Sequence, residues 1–175
     1  MPTTQEIADE MDFSIHHTID AHMNHPRSEE DTIRFWDKTT PYAVHPIWCA
    51  MTLLTETTLP EEIRFRGYQA LLWHDTLEDT TSPLPENTDE AVSQLVHEMT
   101  FLSFRDEQEK IWSSRDVVKL LKLYDKVSIL LDATWMKTEK WNSLVDYTLR
   151  LKAFVSETYG ELNIVKIAGA VCQVR

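Results

Sequence analysis

Residues 60–79 read PEEIRFRGYQALLWHDTLED. Ile63, Gly67, Ala70, Leu71, His74, Leu77 and Glu78 fall on one stripe at helical spacing, so the segment Pro60 to Asp79 is expected to form one amphipathic helix. Its end departs from a plain core-facing pattern. His74 and Glu78 close the apolar stripe, and Asp75, Glu78 and Asp79 crowd three carboxylates into little more than one turn. Like charges four residues apart on a helix destabilise it by about 0.2–0.5 kcal/mol per pair. A cation bound among them would remove that penalty.

Outward from this stretch the chain reads as helical almost throughout. Ser114 to Thr134 carries Val117, Val118, Leu120, Leu121, Leu123, Val127, Leu130 and Leu131, apolar on most sides, with Lys119, Lys122 and Lys126 sharing one arc. Such a helix is central and largely buried. Asp125 projects between the directions of Val118 and Leu121, and a carboxylate on an apolar face needs a partner. Pro46 follows His45 and precedes Ile47, Trp48, Met51 and Leu54, so a helix is expected to begin at about His45, with proline in its tolerated first turn. Further helices are expected over Thr4 to Asn24, Ser28 to Asp37, Glu90 to Met99 and Thr138 to Thr158. The tail from Asn163 reads as a short strand or helix. Thr80 to Thr88, with Pro83 and Pro85, is a loop directly after the acidic cluster, placed to cover a site or simply to connect. Only 3 Gly occur, against 6 Trp and 6 Met, which favours helices over many-stranded sheets. The fold expected is all-α, one helical-bundle domain spanning residues 1–175.

A formal net charge of −12 argues against a nucleic-acid partner, whose phosphates are bound by basic residues that displace counterions. An anionic substrate would need a local source of positive charge, and a bound cation supplies one. Neither a signal-peptide pattern nor an apolar run of membrane-spanning length is present, so a cytoplasmic protein with no membrane partner is expected. Cys49 and Cys172 read as buried free thiols. His16, His17, His22 and His25 lack acidic or cysteine partners in a recognisable pattern and are expected on solvated helix surface; His97 has no support beyond Glu98. Glu86 to Glu90 reads as exposed loop and helix start.

His74 and Asp75 are neighbours and can both lean toward one ion only if other helices complete its shell, which Asp125 and His45 are placed to do. Mixed imidazole and carboxylate ligands suit a borderline or hard divalent ion, Mn2+ first, with Fe2+ or Zn2+ as alternatives, and the lack of a cysteine cluster argues against structural zinc. These residues sit in a wider pattern. Pro41-Tyr42-Ala43-Val44-His45-Pro46, the block Ala70 to Thr80 with His74-Asp75 followed by Glu78-Asp79, Glu90-Ala91-Val92 through Leu95-Val96 to Met99-Thr100, and Lys122-Leu123-Tyr124-Asp125-Lys126 together resemble the HD-domain phosphohydrolases. Within these, the chain is similar to the hydrolase domain of the RelA/SpoT family and its small stand-alone relatives, over roughly 38–136.

The resemblance implies that His45, His74, Asp75 and Asp125 bind the metal while Glu78 and Asp79 act around an attacking water. It also implies removal of the 3'-pyrophosphate from guanosine alarmones such as ppGpp and pppGpp, by a chain too short to carry a synthetase domain. Two stretches depart from the family. Trp36-Asp37 stands where the family has an Arg-Lys pair, and Lys126-Val127-Ser128-Ile129 stands for its Arg-Leu-His-Asn. Trp36, Lys38 and Lys126 are the candidates for substrate contact, with Arg34 a further cation for phosphate. For Trp36, packing in the core is the expectation and stacking on a base the alternative. The competing functions are an HD-type hydrolase of another nucleotide or phosphate ester, and a non-catalytic nucleotide-binding regulator.

Overall fold

The computed structural model describes residues 3–173, the side chains at positions 30 and 31 excepted. In chain order the helices are α1 (Thr4–Asn24), α2 (Val44–Leu54), α3 (Glu61–Trp73), α4 (Thr76–Asp79), α5 (Glu90–Met99), α6 (Phe104–Lys110), α7 (Asp116–Leu131), α8 (Thr138–Tyr159) and α9 (Asn163–Val171). Among the described residues the only extended pairing is two isolated antiparallel bridges, Pro26 with Thr80 and Ile33 with Pro41. The all-α fold expected from the hydrophobic period is the fold found. None of the described helices is long and apolar enough to cross a membrane.

Local chemistry sets the helix ends. Thr3 and Glu6 form a reciprocal capping box at the start of α1, the Asp89 carboxylate accepts from the amides of Ala91 and Val92 to start α5, and the Ser103 hydroxyl accepts from Asp106 to start α6. Gly160, at a φ of 81°, stops α8 in a conformation that costs a residue with a Cβ far more. The spine is α7, buried on nearly every side, with Val118, Leu120, Leu121, Leu123, Tyr124 and Val127 fully enclosed. Burying a side chain of the Leu class stabilises by roughly 1.5–3 kcal/mol, so this helix alone commits α2, α3, α8 and α9 to pack around it. Gly67 is where α3 makes its closest approach: a Cβ there would lie 2.6 Å from Leu53 Cδ2 on α2 and 3.0 Å from Leu121 Cδ2 on α7.

Four expectations need correction. Residues 60–79 are two helices and a turn, since α3 stops at Trp73 and α4 restarts at Thr76. The His74 ring reaches back to the Leu71 carbonyl at 2.7 Å, competing for the acceptor that the Asp75 amide would use in a continuing helix. Ser28 to Asp37 forms only a 3-10 turn at Glu29–Thr32. Beyond it the chain doubles back, with Arg34 N–H on Thr40 O and Tyr42 N–H on Thr32 O, around a tip where Asp37 accepts from both Thr39 and Thr40 amides and Lys38 takes a left-handed φ of 57°. Turn chemistry wins there over weak helical periodicity. Trp36 is not core: it is 57% exposed. His22 is not solvated: it is fully enclosed, its ring 4.9 Å from that of Tyr42.

Smaller differences follow the same logic. The helix read over Ser114 to Thr134 ends at Leu131 and continues as a 3-10 turn, Ala133–Trp135, while the tail from Asn163 is helical, its last two residues lying outside the described ones. Cys49 and Cys172 are buried free thiols. The loop after α4 is tied at its start: Arg27 N–H donates to Asp79 O, Thr81 N–H to His25 O and Arg27 Nε to Thr80 O.

One buried carboxylate seats α9. Glu56 accepts from the Tyr124 hydroxyl at 3.1 Å and from the first amides of α9, Asn163 at 3.0 Å and Ile164 at 2.9 Å. Glu56→Ala leaves those donors buried without an acceptor and is expected to lower stability by about 2–3 kcal/mol. Urea melts should show this as a lower midpoint at unchanged slope; an unshifted midpoint would mean that α9 is seated by packing alone.

Candidate metal centre

Three parts of the chain bring four polar side chains to one point. His45 sits in the first turn of α2, His74 and Asp75 occupy the turn between α3 and α4, and Asp125 faces them from the middle of α7. All four are buried, His74 completely. His45 Nε2 lies 3.3 Å from Asp75 Oδ2 and 3.4 Å from Asp125 Oδ1, and His74 Nε2 lies 3.0 Å from Asp75 Oδ1 and 3.8 Å from Asp125 Oδ1. One donor atom each from His45, His74 and Asp125 falls within 4.8 Å of the others. Asp75 flanks this trio, in reach of both rings.

The outer nitrogens fix what the inner ones can do. His74 Nδ1–H donates to the Leu71 carbonyl, which makes Nε2 the nitrogen that turns to a cation once its proton is displaced, and His45 Nδ1 is 2.8 Å from the Ser128 hydroxyl. Neither Nε2 has a hydrogen-bond partner, though both are buried. The neighbouring carboxylate oxygens are close but lie off the hydrogen-bonding direction. Two buried imidazole nitrogens without partners, aimed with two carboxylates at one point, fit a divalent cation by chemistry and by arrangement.

The carboxylates are held from behind. Asp75 Oδ2 accepts from the Tyr42 hydroxyl at 3.0 Å. Asp125 Oδ2 faces Lys122 Nζ and Lys126 Nζ, each at 3.0 Å, so Oδ1 is the oxygen turned to the imidazoles. The charges respond. Burial alone would raise Asp75 and Asp125, but His74 and His45 beside the first, and Lys126, Lys122 and the two imidazoles beside the second, hold both well below the usual carboxylate range. Burial works against a charge on His74, yet Asp75 and Asp125 overcome it and push the ring up to about 10. Glu78 moves the other way: its half-buried position raises it, against the pull of Lys122 and with the push of Asp75.

Of the remaining residues picked from sequence, Glu78 stands at the edge of the centre with Oε1 accepting from the Phe101 amide at 3.0 Å, and half-buried Asp79 adds its charge at Tyr42. Lys126 is in the cluster. Lys38 and Trp36 are on the exposed loop tip, where Trp36 N–H is bonded to Asp132 Oδ1 at 2.8 Å. Arg34 is committed elsewhere, to Asp132 Oδ2 at 2.8 Å and the Ser128 carbonyl at 3.0 Å. Sequence reasoning assigned no role to Tyr42, Lys122, Ser128 or Glu107. The available signal was the lysines on an otherwise apolar helix, which read as one polar arc and of which Lys122 and Lys126 prove to be buried around Asp125.

No family model and no curated protein matches the chain. Solved structures do. A metazoan ortholog of SpoT that hydrolyzes ppGpp and plays a role in starvation responses matches with a TM-score of 0.69 over 99% of this chain and 96% of that one, at 20% sequence identity. The two share a fold. At that identity the likeness places the helices, while the chemistry rests on the residues described above.

His74 gives the metal-free protein a pH signature. Its folded-state value near 10 exceeds the unfolded value of about 6.5, so its contribution to stability is complete below about pH 6.5 and is lost as pH rises through 10. Thermal melts in a chelator should fall steadily from pH 7 to 10. Added Mn2+ should raise the melting temperature and release protons on binding, because the cation displaces the one held at Nε2. A flat metal-free profile over that range would contradict this account of the centre.

Proposed function

We propose that the chain, acting as one domain, is a metal-dependent phosphohydrolase that removes the 3'-pyrophosphate from guanosine alarmones of the ppGpp type, with His45, His74, Asp75 and Asp125 as ligands and Mn2+ as the ion. The observation that carries this reading is the convergence of two unbonded, buried Nε2 atoms with two carboxylates beside a third, less acidic carboxyl, Glu78. The fold shared with a protein that hydrolyzes ppGpp supports the substrate class. When bound, the cation supplies Lewis-acid charge that lowers the pKa of water from about 15.7 toward about 7 and polarises a phosphoryl oxygen.

The chain's own groups supply the rest. Glu78 is suited to general-base work because its environment raises its proton affinity while Asp75 and Asp125 stay ionised, the divergence that separates base from ligands. With Oε1 fixed by Phe101, Oε2 is left to take the proton of a water as that water's oxygen attacks phosphorus. The bond from phosphorus to the 3' oxygen breaks, and the proton passes to that oxygen, with half-buried Asp79 at hand for the transfer. Lys126 lines the approach from the neighbouring cavity and offers positive charge to the phosphates.

Purified protein with Mn2+ should release pyrophosphate from the alarmone. Glu78→Gln should lower kcat by about 10²–10⁴-fold while Mn2+ still binds, and Asp75→Ala should weaken Mn2+ binding and abolish release. Activity retained in Glu78→Gln would remove Glu78 from the base role; release no greater than that of Asp75→Ala would remove the proposal.

One observation favours a second reading, the same chemistry on another nucleotide or phosphate ester. A cavity of about 290 Å³ beside the centre is walled largely by Phe35, Phe104, Ile129, Trp135, Met136 and Leu144, and of its charged side chains Arg34 and Asp132 are bonded to each other, which leaves Lys126 and Lys140. Trp36-Asp37 and Ile129, which replace the family's polar residues, lie on or next to its wall. A nucleotide panel separates the readings, since the second predicts turnover of another member and indifference to the alarmone.

A further inference from the structure

Behind Asp125 lies a charge cluster of which the hydrolytic reading uses only Lys126. Lys122 and Lys126, on α7, are 2% and 6% exposed, and Glu107, on α6, is 4% exposed. Glu107 Oε2 is 2.8 Å from Lys126 Nζ and 3.6 Å from Lys122 Nζ, while its Oε1 accepts from the Tyr147 hydroxyl of α8 at 2.9 Å. Both ammonium groups also reach Asp125 Oδ2. Two lysines four residues apart on one helix repel, and burying them together with two carboxylates costs several kcal/mol per ion before their attraction returns it. Apolar side chains in the same space would be at least as stable. The arrangement has an effect that apolar side chains could not reproduce: it engages one oxygen of Asp125 and leaves the other facing His45 and His74.

We propose that Glu107 is a positioning residue of the metal centre, anchoring Lys122 and Lys126 so that both ammonium groups close on Oδ2 of Asp125 and Oδ1 is presented to a divalent cation. Glu107 also balances the second lysine. Without it, two positive charges would bear on Asp125 alone and lower the negative potential that draws the cation. Tyr147 completes the chain by fixing the rotation of the Glu107 carboxylate from α8. Thus α6 and α8, which contribute none of the four candidate ligands, act on the centre through α7. The proposal rests on the metal-centre reading above, and its test keeps the two apart.

The experiment is calorimetric titration of the whole chain with Mn2+ alone, without nucleotide. Glu107→Gln, which keeps the shape and removes the charge, is expected to weaken Mn2+ binding by about 10–100-fold, as loss of a group that orients a ligand does. Tyr147→Phe should give a smaller loss in the same direction and stands in if Glu107→Gln does not fold. Glu56→Gln is the structural control: it too alters a buried carboxylate, but one that holds α9, and it should lower the melting temperature while leaving Mn2+ affinity unchanged. Glu107→Gln, or Tyr147→Phe in its place, binding Mn2+ as the unaltered chain does would overturn the proposal whatever the melting temperature. A loss of affinity in Glu56→Gln equal to that in Glu107→Gln would also overturn it, by showing that any buried destabilisation has the same effect. Absence of Mn2+ binding by the unaltered chain would instead overturn the metal-centre reading, and this proposal with it.

Discussion

A carboxylate at the centre of an apolar helix is the constraint around which the rest is arranged. Asp125 sits among Leu121, Leu123, Tyr124 and Val127 on the most enclosed helix of the protein, where an unpaired charge is not tolerable. Its two oxygens face opposite sides, Oδ2 held by lysines of its own helix and Oδ1 turned toward the imidazoles of α2 and the α3–α4 turn. Each partner must be delivered at a fixed depth. That requirement sets the close approach of α3 through Gly67, the start of α2 at the residue before His45, and the packing of α6 against the far side of the lysines.

Delivery of His74 and Asp75 explains the bend at residues 74–75. On a continuous helix, adjacent side chains point about 100° apart, which works against bringing both to one centre. Breaking the helix after Trp73 lets both converge, with the His74 ring itself holding the Leu71 carbonyl at the break. The same logic applies to residues 33–42, folded back so that Tyr42 reaches Asp75 while His22 of α1 packs against its ring. Elements that look peripheral in the chain therefore serve as backing for single atoms at the centre.

This distinguishes what could be read from the amino-acid order from what could not. Hydrophobic period marked the long helices because burial of one face is a local property of each segment. His74, Asp75, Glu78, Asp79 and Asp125 stood out because their polarity conflicts with that period or crowds like charge, and His45 because of its place at a helix mouth and in the family-like motif. The lysines did not conflict with it visibly: at spacing of three and four they form a polar arc, and nothing local reveals that α6 and α8 cover that arc with Glu107 and Tyr147. His22 was missed for the same reason, since its burial depends on Tyr42 arriving from another element. Residues 28–37 misled because hairpin-like contacts and the Asp37 turn outweigh a weak periodicity over so few residues. Trp36 was read as core from its size alone, and size says nothing of which way a loop tip points.

The candidate donor atoms and the adjoining cavity rest on largely different parts of the structure. The donor atoms are fixed by α2, α7 and the turn at 74–75, all within the most enclosed region. The adjoining cavity is walled by Arg34 and Phe35, by Ile129 near the end of α7 and by the segment after it, with Arg34 and Asp132 bonded across it, and it meets the centre at Tyr42 and Lys126. Phe35, Ile129 and Trp135 touch none of the four candidate ligand atoms, whereas a change at Asp125 disturbs α2, α7 and the 74–75 turn together. The resemblance read from the sequence follows the same division: its motifs contain the six candidate residues, while the departures at Trp36-Asp37 and Ile129 fall on or beside the cavity wall and leave the candidate centre intact.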